Sequence, residues 1–241
     1  MHSSGGPLSN ASRNLRQILH SPASWLWVAA VLGIHLWVET RGGPDRLGWW
    51  FENFGLSREG VLAGKVWQLF SHGLLHGAWW HAGLNALFVL VIGSRIESMT
   101  GWPVMMRVTA VGVLGGGLFH LLLGSGLLVG LSGGCMALML LLTTLSPQSR
   151  MFPLPVSGRS LGLGILFAES VLTVIDPKLG VPGLSAAGGW MVRHGMGSWF
   201  QMGHACHVGG GLAGWVFGRW LLRPRITLDR LRRDRARREA G

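Results

Sequence analysis

The sequence has no tyrosine, only two cysteines, and just ten acidic residues among 241. Each shortage excludes something. Cys135 and Cys206 cannot build the disulfide framework of a small secreted scaffold, and both fall in apolar stretches, so they read as free thiols. Charged residues make up only 13% of the chain and hydrophobic ones 49%, which excludes a disordered polypeptide. No heptad or Gly-every-third period runs through the sequence, so a coiled coil and collagen are excluded too, and no internal repeat is visible. What remains is apolar, rich in glycine (39) and tryptophan (13), and carries a formal charge of +11. A soluble protein this basic would suggest nucleic acid as a partner. The apolar content argues against that, and the question becomes where the charge sits.

A helix needs about 20 mostly apolar residues to cross a hydrocarbon core of roughly 30 Å. Uncharged stretches run from Ser21 to Val38, Val66 to Ser94, Val108 to Ser149 and His194 to Gly218, and Ser160 to Ile175 is apolar except for Glu169. The third of these is long enough for two helices, with a turn at Gly124-Ser125-Gly126. We therefore expect an all-α polytopic membrane protein with six spans, near residues 22–39, 80–98, 103–123, 131–146, 155–175 and 203–221. Residues 1–20 form a polar, mobile N-terminal tail, residues 21–222 the membrane domain, and residues 223–241 an Arg-rich tail suited to an anionic lipid surface. The long polar start and the lack of a small-residue cleavage pattern argue against a cleaved signal peptide. Residues 41–66 form a long loop whose Trp49, Trp50, Phe51 and Phe54 suit a short interfacial element.

Lysine and arginine in short loops set orientation. Both tails and the second and fourth loops carry fifteen of the 21 basic residues, Arg13 and Arg225 among them, against four acidic ones. The opposite side carries six basic and five acidic residues. Both termini are thus expected in the cytoplasm. Trp25 and Trp37, toward opposite ends of the first span, and Trp79 and Trp80, at the start of the second, suit interfacial anchoring.

Polar groups inside a bilayer are costly and mark functional sites. Here they cluster. The second span is preceded and opened by His72, His76, His81 and Asn85, with a four-residue spacing in each pair that shares a helical face. The fourth span opens Gly130-Leu131-Ser132-Gly133-Gly134. The sixth carries Cys206 and His207, followed by Gly210, Gly214 and Gly218 on the same face, a small-residue pattern that lets membrane helices approach closely. All three spans begin on the outer side, so a hydroxyl, an imidazole and a His/Asn pair are expected at similar depth. These are the parts of nucleophilic acyl chemistry: a serine, a base to take its proton, and donors for the developing oxyanion. Asn85, His81 and backbone N–H groups near Ser132 can supply those donors.

These residues resemble the rhomboid intramembrane serine proteases over about residues 65–220. The family's second-span signature appears as His72, His76, His81 and Asn85, closed by Gly93 and Glu97. Its Gly-x-Ser-Gly is Gly130 to Gly133, followed by Ala137-Leu138-Met139, and its last-span pattern is His207, Gly210 and Gly214. The resemblance implies a six-helix core with a water-filled cavity open to the outer face, gated by the fifth helix and the cap before the sixth. It implies a dyad, with Ser132 as nucleophile and His207 as general base and acid, and an oxyanion site of His81, Asn85 and the Ser132 N–H. It also implies a membrane-anchored protein substrate, no cofactor or metal, and a location in a bacterial inner membrane. Independently, the sixth span contains no Asp or Glu, so no local carboxylate would orient His207.

The chain departs from the family in places. Met136 replaces a tyrosine that packs on the catalytic imidazole, Gln68 follows Trp67 where arginine is usual, and Cys206 replaces alanine. Glu169 falls in the gate helix, either facing a wet cavity or protonated and bonded to a neighbouring helix. Two competing classes are a non-proteolytic, client-binding rhomboid-like protein and a metal carrier using His72, His76, His81 and His207. Imidazoles suit zinc or nickel, but no cysteine or carboxylate stands near the first three in sequence.

Overall fold

The computed structural model describes residue 12 and residues 15–151, 155–223 and 228–239. Arg13 and Arg225, part of the orientation count, and the first eleven residues of the expected mobile tail lie outside the described residues. Described residues nearer the first span are not free: residues 15–19 are helical, and Gln17 reaches Ser94 through its amide at 3.5 Å.

Six principal helices follow in order: α1 (Pro22–Phe54), α2 (Trp79–Thr100), α3 (Trp102–Leu123), α4 (Ser132–Leu145), α5 (Gly158–Ile175) and α6 (His204–Leu221). Among the described residues there is no named strand. The stretches Pro22–Arg41, Trp79–Thr100, Trp102–Leu123 and Gly158–Ile175 are each long and apolar enough to cross a bilayer. α4 is equally apolar but shorter, and α6 is interrupted by glycine and histidine. The protein is an all-α polytopic membrane protein. A basic helix, α7 (Leu228–Glu239), follows the last span.

The expected loop after the first span is corrected by the structure. Residues 41–54 continue the helical run despite Gly42, Gly43 and Pro44. The rings of Trp37 and Trp50 lie only 4.5 Å apart, whereas thirteen residues of straight helix would separate them by about 20 Å. The run therefore turns back between them. Trp50 stacks on Phe54 and meets Trp49 edge-on, while Trp49 itself stays exposed.

α1 begins at Pro22, which fits the first helical turn because it lacks an N–H. Its remaining end donors are met from another helix. The buried Glu97 carboxylate on α2 accepts from the backbone N–H groups of Ala23 and Ser24, both at 3.0 Å, and from the Ser24 hydroxyl at 2.9 Å. A carboxylate at a helix N-terminus also meets the positive end of the helix dipole.

α3, α4 and α6 form the close-packed centre, and glycine decides how close. A Cβ on Gly210 would strike the Gly133 carbonyl, one on Gly214 the Ala137 carbonyl, and one on Gly218 would sit 3.1 Å from Leu141. The partners keep a constant sequence offset, so α4 and α6 run parallel and in register. Gly112 and Gly116 of α3 close the third side against Gly133 and Cys206. Cys135 and Cys206, the two free thiols, are buried in this centre.

α4 has 14 residues, about 21 Å of helix against a hydrocarbon core of roughly 30 Å. α4 is therefore shorter than the hydrocarbon core is thick. The segment leading to it is pinned from outside: Leu56 and Leu128 exchange backbone hydrogen bonds of 2.9 and 2.8 Å, and the Gly130 N–H donates to the His72 carbonyl at 2.9 Å.

Candidate active site

Ser132 is the first residue of α4, and His207 sits on the second turn of α6. The Gly133–Gly210 contact fixes their relative height. His207 lies one turn before Gly210, and Ser132 immediately precedes Gly133, so both side chains emerge at the same end of the α4–α6 pair. Both are half-buried. The Ser132 hydroxyl meets the thiol of Cys206, the neighbour of His207. Ser132 and His207 are not hydrogen-bonded to each other.

His81 and Asn85 share a face of α2, as their spacing requires, and both turn toward the segment before Ser132. Gly130 has φ +122°, a conformation that favours glycine, and a Cβ there would lie 2.6 Å from the His81 ring. His81 and His207 are close enough to interact electrostatically. Met136 is half-buried one turn below Ser132.

His72 and His76 do not share a helical face. A single-turn helix (Gln68–Ser71) and a 3-10 turn (His72–Leu74) end at Leu75, whose ψ of 146° is extended. The two imidazoles therefore take different duties. His72 holds the Gln68 carbonyl through Nδ1 at 2.8 Å, and its burial lowers its pKa to about 4. Nε2 of His76 accepts from Asn85 Nδ2 at 2.9 Å and from the Leu131 N–H at 3.3 Å. Two donors on one nitrogen require a neutral ring with its proton on Nδ1. Burial, reinforced by His81, pushes the pKa of His76 down to about 3, in agreement. His76 thus ties Asn85 to the backbone just ahead of Ser132, a role that sequence reading did not assign. Gln68, in the place of the family's arginine, is buried and donates to the Glu52 carbonyl at 2.9 Å.

Glu169 is bonded to a neighbouring helix, as one alternative expected, but the protonation that went with that alternative is not what its two imidazole partners call for. Its Oε2 lies 2.6 Å from Nδ1 of His204 on α6 and 3.1 Å from Nδ1 of His207. Nε2 of His204 faces the Trp199 carbonyl at 2.8 Å and so carries a proton. The carboxylate that α6 lacks is therefore supplied by α5. Sequence reading missed His204; its i, i+3 spacing from His207, one turn apart, was the available signal.

A buried short helix headed by serine, with imidazoles and an amide from its neighbours, defines a polytopic helical membrane protein whose reactive groups gather at one end of its helix core. The family model described as Rhomboid domain matches residues 63–224, about two thirds of the chain, and the chain belongs to the rhomboid family. It is also similar to "Rhomboid-like protein 16, chloroplastic" of Arabidopsis thaliana, at 32% identity over 79 residues. That match covers 33% of this chain and 24% of the relative, so the chain spans about a quarter of the relative's length.

Proposed function

We propose that the protein is an intramembrane serine endopeptidase that cuts membrane-anchored proteins in or near their transmembrane segments. The observation that carries this is the in-register packing of α4 and α6, with Ser132 and His207 at the same end of the pair. Ser132 Oγ attacks the peptide carbonyl carbon while His207 Nε2 takes its proton. The carbonyl oxygen becomes an oxyanion, met by the Ser132 N–H and by His81 and Asn85. Collapse of that intermediate breaks the C–N bond, and His207 returns the proton to the departing amine. Water, deprotonated by the same imidazole, then hydrolyses the acyl-serine and regenerates Ser132. Residues of the substrate that break helices favour cleavage, because an extended backbone must reach a nucleophile below the surface.

The arginine excess on the side of both tails supports cytoplasmic termini, and we propose a bacterial inner membrane as the location. The lipid bilayer and a transmembrane protein substrate are its partners. The competing proposal is a non-proteolytic client-binding protein of the same family, favoured by the missing Ser132–His207 hydrogen bond. Proteoliposomes containing the protein and single-span reporter proteins, with and without a glycine or proline in the span, separate the two. We expect cleavage by the wild type and none by Ser132→Ala or His207→Ala. Cleavage that persists in both variants refutes the dyad; binding without cleavage by the folded wild type supports the competitor.

A further inference from the structure

We infer that Glu169 is a positioning residue for His207, so that the site works as a Ser132–His207–Glu169 triad rather than as a two-residue unit. The inference rests on the serine hydrolase reading above.

The chemistry follows from the nitrogen that each partner needs. To accept the Ser132 proton, Nε2 of His207 must present a lone pair, so the ring's own proton must sit on Nδ1. That Nδ1 is buried and makes no well-aligned hydrogen bond at rest, and Glu169 Oε2 lies 3.1 Å away. An acceptor at this place favours the Nδ1–H tautomer, and as Nε2 gains the Ser132 proton the imidazolium forms against a carboxylate. No proton needs to leave Nδ1 in this step: the Oγ–H bond breaks, the Nε2–H bond forms, and the new positive charge faces Oε2.

Glu169 is itself held in place. His204 is anchored by its Nε2–H to the Trp199 carbonyl, and its Nδ1 grips Oε2 at 2.6 Å. With the shared proton on His204, Glu169 stays a carboxylate and Oε2 keeps a lone pair for His207. The lower half of α5 is seated by glycine: a Cβ on Gly162 would lie 2.6 Å from the Thr143 hydroxyl, and Leu166 fills the space against Gly211. The carboxylate is thus presented by a seated helix and by a fixed second histidine.

The test is the labelling kinetics of the purified full chain in mild detergent with a rhodamine fluorophosphonate. A carboxylate that orients a catalytic imidazole is worth about 10⁴-fold in serine proteases. Here it is shared with His204 and less well aligned, so Glu169→Ala should lower the maximal labelling rate about 10²-fold. The probe concentration at half-maximal rate should stay near wild type, while the melting temperature should fall a few degrees because the buried His204 loses its partner. Glu169→Asp or added sodium formate should restore part of the rate, which a packing role would not produce. An unchanged rate in Glu169→Ala, or a loss relieved by neither aspartate nor formate, overturns the inference alone. Loss of wild-type labelling on adding EDTA also overturns it, because the ligand atoms of Glu169, His204 and His207 lie within 4.8 Å of one another and would then be serving a metal. No labelling of folded wild type at Ser132 instead overturns the hydrolase reading, and this inference with it.

Discussion

Substituting Gly210 by alanine is the sharpest test of how the fold sets the site. The new Cβ would lie 2.7 Å from Gly133 Cα as well as striking the Gly133 carbonyl, whereas ordinary contact needs 3.4 Å or more. Neither obstacle is a flexible side chain, so α4 and α6 must separate by about 0.7 Å or more at this level. Overpacking of this kind costs about 1–3 kcal/mol of stability, which leaves most molecules folded. The separation acts directly on the gap between Ser132 and His207, and a misplacement of about 1 Å costs roughly 10²-fold in rate. We expect Gly210→Ala to insert and melt a few degrees below wild type, yet to lose one to two orders of magnitude in fluorophosphonate labelling. A Cβ on Gly48 would meet nothing within 4 Å, so Gly48→Ala is the matched control. Labelling of Gly210→Ala at the wild-type rate would refute the claim that this contact sets the site.

Other consequences are measurable. Glu97→Leu removes the acceptor for three buried donors, at roughly 1–3 kcal/mol for each one orphaned; thermal melting should show a loss of about 3 kcal/mol or more. His72 and His76 have folded pKa values near 4 and 3, below the ordinary 6.5. The unfolded chain then binds more protons between those limits, so stability falls as pH drops from 6.5 toward 4. His72→Gln with His76→Gln should flatten that slope in pH-dependent unfolding, and an unchanged slope would refute the assignment. The buried thiols Cys135 and Cys206 should resist maleimide until the protein is denatured.

The parts of the site legible in the sequence were those carried by local spacing. His81 and Asn85 share a face because four residues make about one turn, and the step from Gly210 to Gly214 to Gly218 announced a close helix contact. The turn at Gly124-Ser125-Gly126 and the heads of α4 and α6 were visible for the same reason. What escaped was set by tertiary structure. Glu169 and His204 are 35 residues apart and meet only when α5 docks on α6. His76 gained its role because the chain becomes extended at Leu75, which brings its ring to Asn85 and Leu131. The helical run beyond residue 41 escaped because Gly42, Gly43 and Pro44 argue for a break, and only the packing of Trp37 on Trp50 shows what the segment gains.

Everything proposed for the site depends on Ser132 being a nucleophile activated by His207. Mass-spectrometric mapping of the fluorophosphonate adduct on the folded, detergent-solubilised protein tests it most directly. If His207 activates Ser132, one adduct forms, on Ser132, and it is absent from Ser132→Ala and from His207→Ala. An adduct on another residue, none on a wild type that melts cooperatively, or full labelling of Ser132 in His207→Ala would contradict it.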